Sequence, residues 1–277
     1  MAAREGPPGS RRLAVAGKGG AGKSFIAGTL ARVLARRGER VLALDSDFVP
    51  GLALSLGADE PETPPLLDAA EWGEDKRWRL KRGIGPVRAA QRFATDAPDG
   101  VKLLQAGKIG RAGQEPILGA NGAFRMTVNG IGDARAFAGW TLLGDLPAGP
   151  RHPAYRWAPY ARNFLIVVEP QWQSVLTARR VARIVSARPD VTVSAIASKV
   201  RGTEDVELIS ARLGAPIFAA VPADDEVRDA ERERLAPIDA APECPAVRAV
   251  QDLAHRLDLL AERQEVRRAA AAGATLA

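Results

Sequence analysis

Residues Gly17–Ser24 read Gly-Lys-Gly-Gly-Ala-Gly-Lys-Ser, set between the apolar run Leu13-Ala14-Val15-Ala16 and Phe25-Ile26-Ala27. The spacing G-x-x-x-x-G-K-[ST] is met in full by Gly17, Gly22, Lys23 and Ser24. A short strand, a glycine turn and a helix in that order point the first N–H groups of the helix at an anion. Glycines at 17, 19, 20 and 22 let the backbone wrap phosphate oxygens where a Cβ would clash. In such a loop Lys23 reaches the β- and γ-phosphate oxygens, and the Ser24 hydroxyl ligates Mg²⁺. The alternative is a glycine-rich strand–helix turn with no ligand. Motif and context together favour nucleotide binding.

The rest of the chain permits that fold. Its 277 residues, 46% of them apolar, suffice for one α/β domain with appendages. The net charge of +6 raises nucleic acid, membrane surface or phosphate ligands as partners. The basic residues, however, are mostly Arg scattered among Ala, Asp and Glu, the pattern of solvated helix faces. A single cysteine, Cys244 in Pro242-Glu243-Cys244-Pro245, excludes an internal disulfide and a multi-cysteine metal site within one chain. There is no apolar stretch of about eighteen residues, as a membrane span requires. Met1 to Arg12 is polar and lacks the apolar segment of a signal peptide. Residues 1–12 therefore read as a disordered leader, and the protein as cytoplasmic.

Apolar runs predict strands at Leu13–Ala16, Arg40–Leu44, Val101–Ala106, Trp140–Asp145, Phe164–Pro170, Val191–Ser198 and Pro216–Val221. Helical spacing predicts helices over Ser24–Arg37, Phe48–Leu56, Gln171–Ala187, Glu204–Leu213, Glu226–Arg234 and Pro245–Glu262. A further helix over Glu115–Ile131 is weakened by Gly119, Gly122 and Gly130. Residues 58–100 read as an irregular insertion. It holds a brief helix at Leu66–Ala70, a small hairpin built on Trp78–Lys81 with the turn Gly83-Ile84-Gly85-Pro86, and a helix over Pro86–Phe93. One domain spans residues 13–262, and residues 263–277 form a flexible tail. Alternating strands and helices imply right-handed crossovers and a mainly parallel sheet, with ligands at the carboxyl ends of strands. Asp45, Asp47 and Asp145 stand at such ends. Without further context Asp45 and Asp47 read equally well as N-caps.

With its early lysine, Lys18, the loop resembles the deviant Walker A of the MinD/ParA class of P-loop ATPases. The resemblance runs from about Leu13 to about Leu260. It implies a three-layer α/β P-loop NTPase fold with a mainly parallel central sheet flanked by helices. It also implies binding of ATP and Mg²⁺, slow hydrolysis and an ATP-dependent homodimer. In that class the early lysine crosses the dimer interface to the partner's phosphates. Lys18 thus joins Lys23 and Asp47 as a catalytic residue. The nucleotide lies on Gly17, Lys18, Gly19, Gly20, Ala21, Gly22, Lys23, Ser24 and Phe25. Asp45-Ser46-Asp47 resembles the family's D-x-D, which gives Asp47 the attacking water and Asp45 a place in the Mg²⁺ shell. Asp145-Leu146-Pro147-Ala148-Gly149 resembles its second switch, D-x-x-x-G, so Asp145 joins Ser24 and Asp45 as a metal residue.

Two stretches resemble the family's base-reading elements. Ile196-Ala197-Ser198-Lys199-Val200 aligns with a strand end that carries Asn and then Lys or Arg. Ser198 stands in place of the Asn, and its hydroxyl has a shorter reach. Val221-Pro222-Ala223-Asp224-Asp225-Glu226-Val227 resembles I-P-x-D-x-x-V, which frames the base through Pro222 and Asp224. On its own Asp224 is an ordinary N-cap.

Within the class, Ala14–Gly20, Phe164–Pro170 and Thr177–Arg180 look most like the CooC-type ATPases that assist nickel insertion into carbon monoxide dehydrogenase. Those carry a C-x-C pair before the second switch. This chain has Ile109 to Gln114 there and no cysteine. Nickel carriage is therefore not implied, and the client protein is unknown. The tail Arg267–Ala277 has Leu276 but no apolar face, which argues against a membrane-recruited branch. The alternatives are a ParA-like partition ATPase holding DNA nonspecifically, with salt-sensitive affinity, and a nucleotide-gated scaffold with little turnover.

Overall fold

A computed structural model of the chain describes residues 10–48, 51–59, 61, 63, 65–107 and 115–274. In chain order, β1 (Arg12–Gly17) and α1 (Lys23–Arg36) flank the glycine loop, followed by β2 (Arg40–Asp45) and α2 (Leu52–Leu56). A 3₁₀ turn over Pro65–Ala69 leads to β3 (Ala70–Trp72), β4 (Trp78–Leu80), α3 (Pro86–Phe93), β5 (Thr95–Asp96) and β6 (Lys102–Gln105). Then come α4 (Glu115–Ile131), β7 (Trp140–Asp145), α5 (Arg151–Ala154), β8 (Asn163–Val168) and α6 (Trp172–Val185). The chain closes with β9 (Thr192–Val200), α7 (Thr203–Leu213), β10 (Ile217–Pro222), α8 (Asp225–Arg232), α9 (Pro237–Ala240) and α10 (Pro245–Ala274).

Eight strands form one sheet in the order β10-β9-β8-β1-β7-β2-β6-β5. Every pairing is parallel except β5 with β6. A parallel sheet is covered on both faces, which is why its strands read as unbroken apolar runs rather than alternating ones. Side chains of successive residues still part to opposite faces. Leu13, Val15, Leu165 and Val167 pack under α1 and α10, with Ile26, Leu30, Leu34, Val247, Val250, Leu253 and Leu257. Ala14, Ala16, Ile166 and Val168 pack under α4 and α6, with Phe124, Val128, Val175 and Val181. Each large aliphatic side chain so buried contributes about 1.5–3 kcal/mol. Three layers result: helices, sheet, helices.

The core also holds an arginine. Arg32 on α1 is buried and donates to the Leu56 carbonyl (2.7 Å) and to both carboxylate oxygens of Asp239 (2.9 Å each), and it pairs with Asp99. It ties α1 to the end of α2 and to α9.

The predicted strands are all present, and so is the parallel core. The insertion differs from its expected form. Trp78–Leu80 pairs antiparallel with Ala70–Trp72, so the hairpin turn lies at Gly73–Arg77 and not at Gly83–Pro86. Leu66–Ala69 belongs to the 3₁₀ turn, and Thr95–Asp96 adds an antiparallel edge strand that no periodicity announced. The glycines of α4 have a packing role. A Cβ on Gly122 would stand 2.7 Å from Trp78 Cβ, so the hairpin docks on this helix because the side chain is missing there. The helix expected from Phe48 begins at Leu52, and the one expected to stop at Glu262 continues to Ala274. Within residues 1–12, Arg12 opens β1, and Arg11 donates to Glu39 (3.1 Å). The leader over residues 1–9 lies outside the described residues.

Both sheet edges are irregular. At the β10 edge the register with β9 shifts between Ile217 and Ala219 and again between Val221 and Pro222. Arg256 of α10 donates to the Phe218 carbonyl there (3.1 Å).

Candidate functional site

The carboxyl ends of the five middle strands converge. The β1 end leads into the glycine loop, and the loop enters α1 at Gly22 (φ +91°), a left-handed position that favours glycine. Lys23 opens the helix, is buried, and its Nζ donates to the Lys18 carbonyl (3.3 Å). Ser24 Oγ donates to Asp145 Oδ2 (2.6 Å). β2 and β7 are neighbours in a register that places Asp45 directly opposite Asp145. Both carboxylates are almost wholly buried. Asp45 Oδ1 accepts the Asp47 N–H (3.0 Å). Among the described residues, Asp45 Oδ2, Asp145 Oδ1 and Ser46 Oγ have no hydrogen-bond partner.

Two buried carboxylates side by side cannot both ionise cheaply. Burial, and then the neighbouring Asp145, holds the Asp45 carboxyl well above the usual range. Burial pushes Asp145 up to about 6, against the Ser24 hydrogen bond and the Lys23 charge. A hard divalent cation with oxygen ligands answers this imbalance. Mg²⁺ commonly takes one or two carboxylates, with phosphate oxygens and waters completing its shell. Ser24, Asp45 and Asp145 fit that need. Among the described residues no group of three or more His, Cys, Asp or Glu side chains forms a separate metal cluster.

The shift has a sign in stability. Folded Asp145 keeps its proton up to about pH 6, whereas the unfolded chain releases it near 3.8. Stability of the nucleotide-free protein therefore falls as pH rises across that window, and the penalty is complete above it. Asp145→Asn, which keeps an acceptor for Ser24, is expected to raise the melting temperature at pH 8 by several degrees. It should change little at pH 4. Thermal unfolding at the two pH values checks this, and an equal shift at both would refute the electrostatic cause.

Gly20, Gly22, Lys23, Ser24, Phe25, Ser198, Lys199, Pro222 and Asp224 line one cavity of about 610 Å³. The structure thus brings the loop and both expected base-reading stretches together. Ser198 sits under the loop, its Oγ 3.2 Å from where a Gly22 Cβ would be. Lys199 is held in a left-handed conformation (φ +55°), which costs a non-glycine residue about 1 kcal/mol. Its Nζ donates to the Gly20 carbonyl (2.6 Å). Asp224 does cap α8, accepting the Glu226 N–H (3.0 Å), and it also accepts the Ala246 N–H (3.0 Å). Gly17, Lys18, Gly19, Ala21, Asp45, Asp47 and Asp145 do not line this cavity. A second hollow of about 650 Å³, mainly apolar, lies away from the loop, where α10 passes the starts of β9 and β10.

Sequence reasoning missed four side chains here. Glu169, just past the end of β8, is buried and faces Lys18 Nζ (3.8 Å) and Lys199 Nζ (3.6 Å). His152 follows the Asp145–Gly149 stretch and meets Trp157 edge-on (4.4 Å between rings). Trp157 in turn meets Phe48, the residue after Asp47 (6.5 Å). The buried Tyr160 hydroxyl lies against Gly144, and burial with the nearby Asp145 holds it un-ionised. Of the four, only Glu169 carried a usable signal, as a charged residue closing an otherwise apolar strand. The segment Ile109–Gln114, the stretch without cysteine that precedes the second switch, lies outside the described residues.

Residues 13–238 match the family model described as the CobQ/CobB/MinD/ParA nucleotide binding domain. An uncharacterized ATP-binding protein of Methanocaldococcus jannaschii is 29% identical over 231 residues, covering 79% of this chain and 88% of that one. The carbon monoxide dehydrogenase accessory protein CooC of Rhodospirillum rubrum is 28% identical over 256 residues, covering 89% of this chain and 94% of that one. Among solved structures, the septum site-determining protein MinD of Pyrococcus horikoshii, complexed with Mg-ADP, superposes with a TM-score of 0.66. That pair is 20% identical, with 91% of this chain and 97% of the other covered. No helix among the described residues is long and apolar enough to cross a membrane.

Proposed function

We propose, because this chain belongs to the CobQ/CobB/MinD/ParA nucleotide-binding family, that it is a slow Mg·ATP-dependent switch ATPase that closes into a dimer on ATP and acts on a client protein. The observation that carries this is the Ser24–Asp145 hydrogen bond at the foot of the glycine loop, beside the in-register Asp45. The R. rubrum CooC match, which runs nearly the length of both chains, supports a client that is a metalloenzyme under maturation. A cytoplasmic setting, where ATP is plentiful, goes with that role.

In this reading the loop N–H groups and Lys23 bind the phosphates. Ser24 and Asp145, already joined, would hold the metal together with Asp45. When bound, Mg²⁺ supplies charge neutralisation at the β- and γ-phosphate oxygens. Asp47, two residues beyond Asp45, accepts a hydrogen bond from the attacking water and aligns it. Lys18 serves the other copy's phosphates across a two-fold axis, an isologous contact that closes as a C₂ dimer. The cavity beside Ser198, Lys199 and Pro222 takes the base. ATP then shifts the monomer–dimer balance only by its greater affinity for the dimer.

Light scattering after size exclusion tests the dimer. The slowly hydrolysing Asp47→Ala variant should run as a monomer, or a looser dimer, with ADP and as a tight dimer with ATP. Adding Lys18→Ala should abolish the ATP-driven dimer while ATP binding to the monomer persists. One mass under all three conditions would sink the mechanism.

A further inference from the structure

The early lysine of the loop has a partner within its own subunit. Its Nζ stands 3.8 Å from Glu169 Oε2, and the other oxygen of that carboxylate stands 3.6 Å from Lys199 Nζ. The Glu169 side chain is only 9% exposed, whereas the two lysine side chains are 32% and 51% exposed. The backbone that carries this carboxylate is tied to α6, since the Glu169 N–H donates to Ser174 Oγ (3.0 Å) at the start of that helix. Lys199 is fixed as well, by its bond to the Gly20 carbonyl (2.6 Å). Lys18 alone has no second tie among the described hydrogen bonds and ion pairs of its ammonium.

We propose that Glu169 is the resting anchor of Lys18, holding it within its own subunit until a second copy's nucleotide takes it. This rests on the dimeric reading above and makes Glu169 a positioning residue for it. The chemistry favours a releasable contact over a permanent one. Both separations exceed hydrogen-bond length, so the attraction is coulombic and undirected. Lys18 is partly exposed, so the pair is screened and weak. Losing the last cation from a buried carboxylate would be costly. With Lys199 held in place, Lys18 departs and Glu169 stays compensated. Two lysines on one buried carboxylate let one of them leave.

The anchor is tested first without any dimer. In the nucleotide-free full chain, trace acylation of amines followed by mass spectrometry gives the labelling rate of Lys18 relative to the exposed Lys76. Glu169→Gln keeps the shape and removes the charge. It should raise that ratio about two- to fivefold, the range an ion pair with one partly exposed partner supplies. Glu169→Asp, shorter by one methylene, should give a smaller rise and serves if the Gln variant folds poorly. An unchanged ratio in both overturns the anchor. The second arm compares Asp47→Ala with Asp47→Ala/Glu169→Gln in ATP by sedimentation. The double variant should dimerise at about two- to fivefold lower protein concentration, and an equal or higher concentration overturns the proposal. A parent that stays monomeric in ATP refutes the dimeric reading instead, and labelling then decides the anchor alone.

Discussion

Lys23→Ala is expected to weaken Mg·ATP binding by about a hundredfold or more. Lys23 is buried at the first turn of α1, and its ammonium is held by one loop carbonyl, that of Lys18, at 3.3 Å. A cation so placed has donors to spare for phosphate oxygens. Hydrogen bonds from a charged donor contribute about 1.5–3 kcal/mol each, and two of them amount to at least a hundredfold in affinity at 1.4 kcal/mol per factor of ten. Its removal also withdraws the positive charge that opposes the raised pKa of Asp145. The two carboxylates then face the phosphates with less compensation. Calorimetric titration with Mg·ATP measures the loss. Equal affinity in the variant and the parent would show that the nucleotide lies elsewhere.

Asp47→Ala should lower the turnover number by a factor of about 10²–10⁴ while ATP affinity changes little. The side chain lies just past β2, where its own N–H donates to Asp45 Oδ1 (3.0 Å), and it is only half-buried. Its removal leaves the phosphate loop itself untouched and takes one negative charge away from the buried Asp45 and Asp145, so the loss falls on the alignment of water. Phosphate release at saturating ATP reads the turnover, and calorimetry reads the affinity. Asp145→Ala should behave differently and show its defect in the Mg²⁺ concentration needed. Undiminished turnover in Asp47→Ala would move the water-aligning role to Asp45.

How much of this was legible before the structure follows from where each interaction is encoded. The glycine loop, Asp45 and Asp145 declare themselves locally, because parallel strands buried on both faces give uninterrupted apolar runs that end in polar residues. That Asp45 and Asp145 face each other depends on β7 lying between β1 and β2, which no window of sequence contains. Glu169 has the same cause: its two lysines come from the loop and from β9. From sequence Ser198 reads as a shortened base contact, and its position against Gly22 arises from the fit of β9 under the loop. The hairpin turn was misplaced because Gly83-Ile84-Gly85-Pro86 carries stronger turn residues than Gly73–Arg77. Trp78 decides the matter by seating on Gly122, a tertiary fit that overrides the local preference.

The two margins of the sheet bear on how copies of this protein meet. An open strand margin is a template on which further chains can add without limit, the route to fibres. Here one margin is β5, two residues long and held to β6 by the register pair and ion pair of Asp96 with Lys102. The other is β10, whose pairing slips twice, which ends in Pro222, and whose Phe218 carbonyl is already taken by Arg256. Among the described residues neither margin offers a long flat row of free peptide groups to another strand. Growth through the sheet is thereby disfavoured, and encounters between copies fall to side-chain surfaces. There, contacts can be made and undone.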